Sequence, residues 1–174
     1  KTVIKEEFED PAVSLSFFNA DGEYMDNLAA EGKVMVISLY NPDISVKKWT
    51  GIARFTTAAS AEGFRPLILV SASPQDFGAI VAKLPKDIRE EIVKNTYFSD
   101  YKTLITLNRS NGGITYFSDG YLIRKWARRT APSSETLHET ASTAETEILI
   151  GHSSQGSLTF QGFLLYVFAV MLLM

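Results

Sequence analysis

Groups able to make or break covalent bonds are scarce in this chain, and those present are not spaced for it. There is no cysteine, which excludes disulfides, thiolate metal sites and thiol redox chemistry of its own. The two histidines, His138 and His152, have no second ligand at metal-binding spacing, so no metal centre is expected. Ser45, Ser71, Ser73 and Ser110 lie in no nucleophile elbow and beside no histidine, which leaves nucleophilic catalysis without support. No glycine-rich phosphate loop is present. The remaining candidates are groups that bind. One stretch holds Asn41, Pro42, Asp43, Lys47 and Trp49, a second holds Asn111, Gly112 and Gly113, and a third gathers Arg124, Lys125, Arg128 and Arg129 around Trp126. Amides and glycine-rich backbone offer hydrogen bonds, and cations meet anions. Asp43, beside Lys47 and Lys48, reads as helix capping and solvation more readily than as acid–base machinery. Trp49 reads as core, with an exposed recognition residue as the alternative. The basic group reads either as a solvated strand face or as a contact with anionic lipid headgroups, worth about 1 kcal/mol per base at an anionic surface.

These stretches need a scaffold, and the composition allows one. Of 174 residues, 45% are apolar and 21% charged, enough for a packed core and too apolar for wholesale disorder. Every Lys and Arg precedes Thr130, while residues 130–174 carry four Glu and no base. Neither part is basic enough to suggest nucleic acid. The chain begins at Lys1, so it is expected to be a piece of a longer protein.

Gly156–Met174 carries no charge, and Leu158–Met174 is apolar nearly throughout. A bilayer core about 30 Å thick takes about 20 such helical residues, so Leu158–Met174 is expected to be a truncated transmembrane helix after a short linker, residues 151–157. A buried terminal helix of a soluble domain is the competing reading, mildly supported by Thr159 and Gln161. The shortage of base before the run leans toward an extracytoplasmic, periplasmic domain.

Strand and helix signals alternate through residues 1–150. Val13–Phe18 alternates and meets the turn Asn19-Ala-Asp-Gly22. Lys33–Tyr40 and Pro66–Ser71 are continuous apolar runs, as in strands covered on both faces. Trp49, Ile52, Ala53, Thr56 and Ala59 recur at helical spacing and end near Gly63. Pro74 opens a helix carrying Phe77, Ile80, Val81 and Leu84, and Lys86–Asn95 forms another. Thr96–Phe98 is strand-like, and Asp100 caps a helix over Tyr101–Leu107. Gly113–Phe117 and Tyr121–Trp126 flank Ser118-Asp-Gly120, a hairpin signal. A last helix is expected from Pro132, with Leu137, Ala141, Ala144 and Ile148 on one face. This order predicts an α/β sheet with helices on both faces.

Val13–Tyr40, with its Asn-Ala-Asp-Gly turn and the strand Gly32-Lys33-Val-Met-Val-Ile-Ser-Leu-Tyr40, resembles the opening of thioredoxin-like domains of the peroxiredoxin and TlpA kind. Ser118–Trp126 is similar to the terminal hairpin of that fold. More narrowly, Asn108–Trp126 resembles the thioredoxin-like domain attached to DoxX-like membrane proteins of Bacteroidetes. The resemblance implies a three-layer fold with a central mixed sheet, followed here by a C-terminal apolar helix. Redox-active members carry a C-x-x-C pair after the G-K-V strand. The matching positions here fall near Ile44 and Lys47, so that activity does not carry over. The family's cis-proline falls near Gly112, which is expected to be trans on a path that glycine permits.

The fold would bring Asn41–Trp49 to face Ser110–Gly113 at the carboxyl end of the central strands, where open α/β sheets bind ligands. Either a groove for a peptide or membrane partner is expected there, or a vestige kept for folding. Three functions follow. The chain is a cofactor-free, redox-inactive module supporting a membrane component; or it is a thiol-independent enzyme or binder of a small thiol such as glutathione, which needs a closed, polar pocket between the two loops; or it is a soluble domain whose apolar tail is core.

Overall fold

Three apolar runs far apart in the chain become neighbours in one sheet. The computed structural model describes residues 15–144 and 148. In it, β1 (Lys33–Leu39), β2 (Arg65–Val70) and β3 (Thr96–Phe98) are parallel, while β4 (Gly113–Ser118) and β5 (Tyr121–Trp126) are antiparallel on the other side of β1. The strand order is β3-β2-β1-β4-β5. β1 is central and buried at every residue after Lys33, which is why its sequence lacks the polar alternation of a half-exposed strand.

Successive side chains leave the sheet on opposite faces, so each strand feeds two cores. Met35, Ile37 and Leu39 join Ile68, Val70, Ile114 and Tyr116 on one face. Val34 and Val36 join Leu67, Leu69 and Phe117 on the other. The first face is covered by α2 (Val46–Ala61), α3 (Pro74–Val81), α4 (Lys86–Lys94) and α6 (Ser134–Ser142), through Trp49, Ala53, Ala59, Phe77, Val81, Ile92 and Leu137. The second is covered by α1 (Asn27–Ala30), α5 (Tyr101–Leu107) and the segment carrying Leu15 and Phe17.

Local signals set the element ends. Pro74 sits in the first turn of α3, and Ser73 Oγ accepts the Asp76 N–H at 3.1 Å. The Asp100 carboxylate accepts the Thr103 N–H at 3.0 Å and the Thr103 hydroxyl. These bonds, the hydroxyl first, hold the Asp100 carboxyl below the usual carboxylate range. In the hairpin turn both central residues are left-handed, Asp119 at φ 47° and Gly120 at φ 80°, the pairing that matches the twist of the flanking strands. The β4–β5 register shifts at Tyr116/Phe117, leaving Ile123 without a partner. That bulge lets Ile123 join the same core as Trp126.

Two expected elements come out differently. Val13 and Ser14 lie outside the described residues, and the rest of the Val13–Phe18 run is no ladder: only Phe18 bridges, to Tyr24 and Phe98. The Phe17 N–H goes instead to Asp26 Oδ1 at 2.9 Å. α6 stops at Ser142, with Thr143 extended at φ −88° and ψ 140°, whereas Ile148 is helical again, its N–H on the Ala144 carbonyl at 3.2 Å, and packs with Ala141 against the core as expected. The Thr143 N–H and hydroxyl both end on the Glu139 carbonyl, at 2.9 and 2.7 Å. The linker 151–157 and the apolar run Leu158–Met174 lie outside the described residues. Among those described, no helix is long and apolar enough to cross a membrane.

Candidate functional site

β1 and β4 deliver two loops to the same edge of the sheet, and one side chain joins them. Asn111 Oδ1 accepts the Asn41 N–H at 3.0 Å, and Asn111 Nδ2 donates to the Asn41 carbonyl at 2.8 Å. The Asn41 side chain accepts the Asp43 N–H at 3.0 Å, closing the turn around the buried Pro42. Both amides expected to face a ligand are thus bonded within the loop pair. Asn108, itself buried, donates to the carbonyls of Ile114 at 3.3 Å and Trp126 at 3.1 Å and accepts the Ser110 N–H. Ser110 Oγ then accepts the Arg128 N–H at 2.9 Å. This relay ties the second loop to the turn after β5.

The glycines are required by this geometry. Gly112 is trans at φ +82°, and a Cβ there would lie 3.1 Å from Arg128 Cδ. A Cβ on Gly113 would lie 2.4 Å from Asn108 Oδ1. The unusual path expected for Gly112 is present, and its physical reason is a left-handed backbone pressed against an arginine stem.

Between the loops lies an apolar pocket of about 240 Å³, neither sealed nor flat. Its sheet side is Ile37, Leu39 and Ile114; Ile44, Ile52 and Phe55 form the wall toward α2. Gly112, Arg128 and Ala131 close the opposite side. Lys48 and Arg128 are exposed residues that also line it, and neither forms a salt bridge among the described residues. α2 therefore carries two stripes. Trp49, Ala53, Thr56 and Ala59 point into the core, and Lys48, Ile52 and Phe55 flank them toward the pocket.

Other predicted site residues are placed elsewhere. Trp49 is wholly buried, edge-on to Phe77 with ring centroids 6.0 Å apart, and belongs to the core. Asp43 and Lys47 are exposed and do not line the pocket. The four cations are divided. Arg124 is half-buried with its guanidinium 5.0 Å from the Trp126 ring centroid. Lys125 pairs with Thr115 and leaves the sheet on the opposite face, beside Leu107 and Leu122. Arg128 and Arg129 stand on a short 3₁₀ turn after the strand, and only Arg128 of the four reaches the pocket. His138 Nδ1 lies 2.9 Å from Glu62 Oε2, tying α6 to the end of α2. Among the described residues no three His, Asp or Glu gather as a metal site.

No protein-family model and no curated protein matches the chain. Solved structures do. A secreted Mycobacterium tuberculosis disulfide oxidoreductase homologous to E. coli DsbE superposes with a TM-score of 0.53 at 10% identity, over 76% of this chain and 98% of that one. The pneumococcal exposed lipoprotein thioredoxin Etrx1 from Streptococcus pneumoniae superposes at 0.50 with 17% identity, over 72% and 96%.

The fold is thioredoxin-like. On a thioredoxin-like frame the pocket occupies the end of the sheet where the family resemblance places the paired cysteines. Ile44, near the first of those positions, contributes an apolar wall instead of a thiol. Sequence reasoning located the two loops and missed the pocket's lining. The signal was present in Ile44, Lys48, Ile52 and Phe55 at helical spacing, a stripe beside the core stripe.

Proposed function

We propose that this thioredoxin-like chain is a binding module, redox-inactive for want of cysteine, that holds an apolar group of a ligand or partner between the Asn41–Trp49 and Ser110–Gly113 loops. The observation that carries this reading is the apolar pocket left open where the two loops are otherwise bonded together. A vestigial site would gain by closing, because filling an apolar void of this kind stabilises a fold. The small-thiol enzyme needed a closed, polar pocket, and the apolar, solvent-connected one stands against it. The charge-free run Leu158–Met174 and the absence of base in residues 130–157 support a membrane-tethered, extracytoplasmic placement. The descriptions of the two neighbours as secreted and exposed support the extracytoplasmic part of that placement. The DoxX-like resemblance supports a membrane component as the thing served.

The test is a thermal-shift panel of small apolar compounds, with glutathione included, on the full chain and on Ile52→Trp, which fills the pocket. Wild type should be stabilised by apolar members and Ile52→Trp should not. No stabilisation of wild type, or equal stabilisation of both, overturns the binding reading. Stabilisation by glutathione alone, lost in Ile52→Trp, revives the small-thiol reading.

A further inference from the structure

We propose that the pocket selects a small apolar monocarboxylate, with the hydrocarbon against Ile37, Ile44, Ile52 and Phe55 and the acid group between Lys48 and Arg128. The inference rests on the binding reading above and names its ligand class. Three observations lead to it.

The first is the lack of neutral hydrogen-bonding groups inside. The Asn111 carboxamide, the polar neutral side chain of the lining, is bonded at both ends to the Asn41 backbone. The Gly112 N–H is donated to the Ser38 carbonyl at 2.7 Å. The unpaired donors of the lining are therefore the cations Lys48 and Arg128: an alcohol or amide oxygen can accept from them, but only an anion also gains from their charge.

The second is the charge. The two ionic side chains in the lining are both cationic, and they come from different elements, Lys48 from α2 and Arg128 from the turn after β5. Neither has a salt-bridge partner among the described residues, and Asp43, the nearest acid in the loop, does not line the pocket. An anion entering between two unpaired cations gains from both. A guanidinium fork matches the two oxygens of a carboxylate.

The third is size. About 240 Å³ lies below the roughly 300–1,000 Å³ of pockets for drug-sized ligands. It holds one ring or a short branched chain.

The test uses the full chain in lipid nanodiscs, with empty nanodiscs as the control. Equilibrium dialysis compares phenylacetate with its neutral counterpart 2-phenylethanol. Phenylacetate should bind at one per chain and about tenfold tighter than the alcohol, the increment of one charge-assisted contact. Its binding should weaken as salt is raised. In Arg128→Gln and in Lys48→Gln the acid-to-alcohol ratio should fall toward one, while the thermal midpoint stays that of wild type because both residues are exposed. Equal binding of acid and alcohol in wild type overturns the carboxylate inference and leaves the binding reading standing. Failure of both probes to bind overturns the binding reading as well. A ratio unchanged in both variants removes Lys48 and Arg128 from recognition and overturns the inference.

Discussion

The two ends of the β1–β4 pair are closed by the same device and differ in what lies beside it. At the carboxyl end of β1, the Asn111 side chain takes both backbone groups of Asn41. At the amino end, Asp119 takes both backbone groups of Gly32: Oδ1 accepts the Gly32 N–H at 2.8 Å, and the Asp119 N–H donates to the Gly32 carbonyl at 3.0 Å. The Asp119 bonds extend the ladder one residue past the Lys33–Ser118 pair, and the Asn111 bonds join the chains beyond the Ser38–Gly113 pair. At the Gly32 end a Cβ on Gly32 would meet nothing within 4 Å, and one on Gly120 would sit at ordinary distance from the Ala30 backbone. At the Asn41 end an apolar pocket with two unpaired cations remains. The clamps serve the fold at both ends, so the hydrogen bonds themselves do not mark function. The proposed binding role rests on the unfilled apolar space.

The largest perturbation should come from Gly113→Ala. The new Cβ collides with Asn108, whose buried amide holds the carbonyls of Ile114 and Trp126, so overpacking and lost buried bonds together should cost about 3 kcal/mol in urea unfolding. A cost under about 0.5 kcal/mol would mean that Asn108 moves aside freely.

The clamps themselves should separate stability from binding. Asp119→Ala loses the Gly32 bond and places alanine at a left-handed φ, about 2 kcal/mol together, with no change in phenylacetate affinity. Asn111→Ala should cost only about 1 kcal/mol, because Asn41 is exposed and water can replace the lost partner. It should nevertheless weaken phenylacetate several-fold by letting the pocket wall drift. Equal effects of the two variants on binding would erase the contrast between the ends.

The smallest effect concerns a brace at the same end of β1 as the pocket, on the opposite face of the sheet. Tyr101, first residue of α5, meets Tyr40 edge-on at 5.7 Å, and Asp100 caps that helix. Asp100→Ala should cost about 1 kcal/mol at neutral pH. Because the folded carboxyl is held below its ordinary value, its contribution is fully present above the unfolded pKa of about 4 and fades as pH falls through the folded value. The gap between wild type and Asp100→Ala should therefore shrink on going from pH 7 to pH 3, measured by thermal unfolding. A gap constant with pH would mean that the carboxylate charge is not what caps the helix.

Much of this was legible in short windows of sequence. The buried runs of β1 and β2, Pro74 and Asp100 at helix starts, and the Asp-Gly turn each rest on forces acting within a few residues: side-chain direction, φ preference and a local hydrogen bond. The same windows misjudged Phe17, whose N–H answers to Asp26, and the end of α6, which stops at Ser142. The loops of the candidate site were found by resemblance and by strand order. That Asn111 also clamps the Asn41 backbone could not be read there, because no window contains both residues. The absence of thiol chemistry was settled by composition alone, since no arrangement of these residues supplies a sulfur nucleophile. Tertiary structure alone decided that the Asn111 amide is taken up by the Asn41 backbone, and that Arg128 and Lys48 line one apolar pocket. Those facts depend on the meeting of segments more than sixty residues apart, and the energy of such a meeting resides in neither segment by itself.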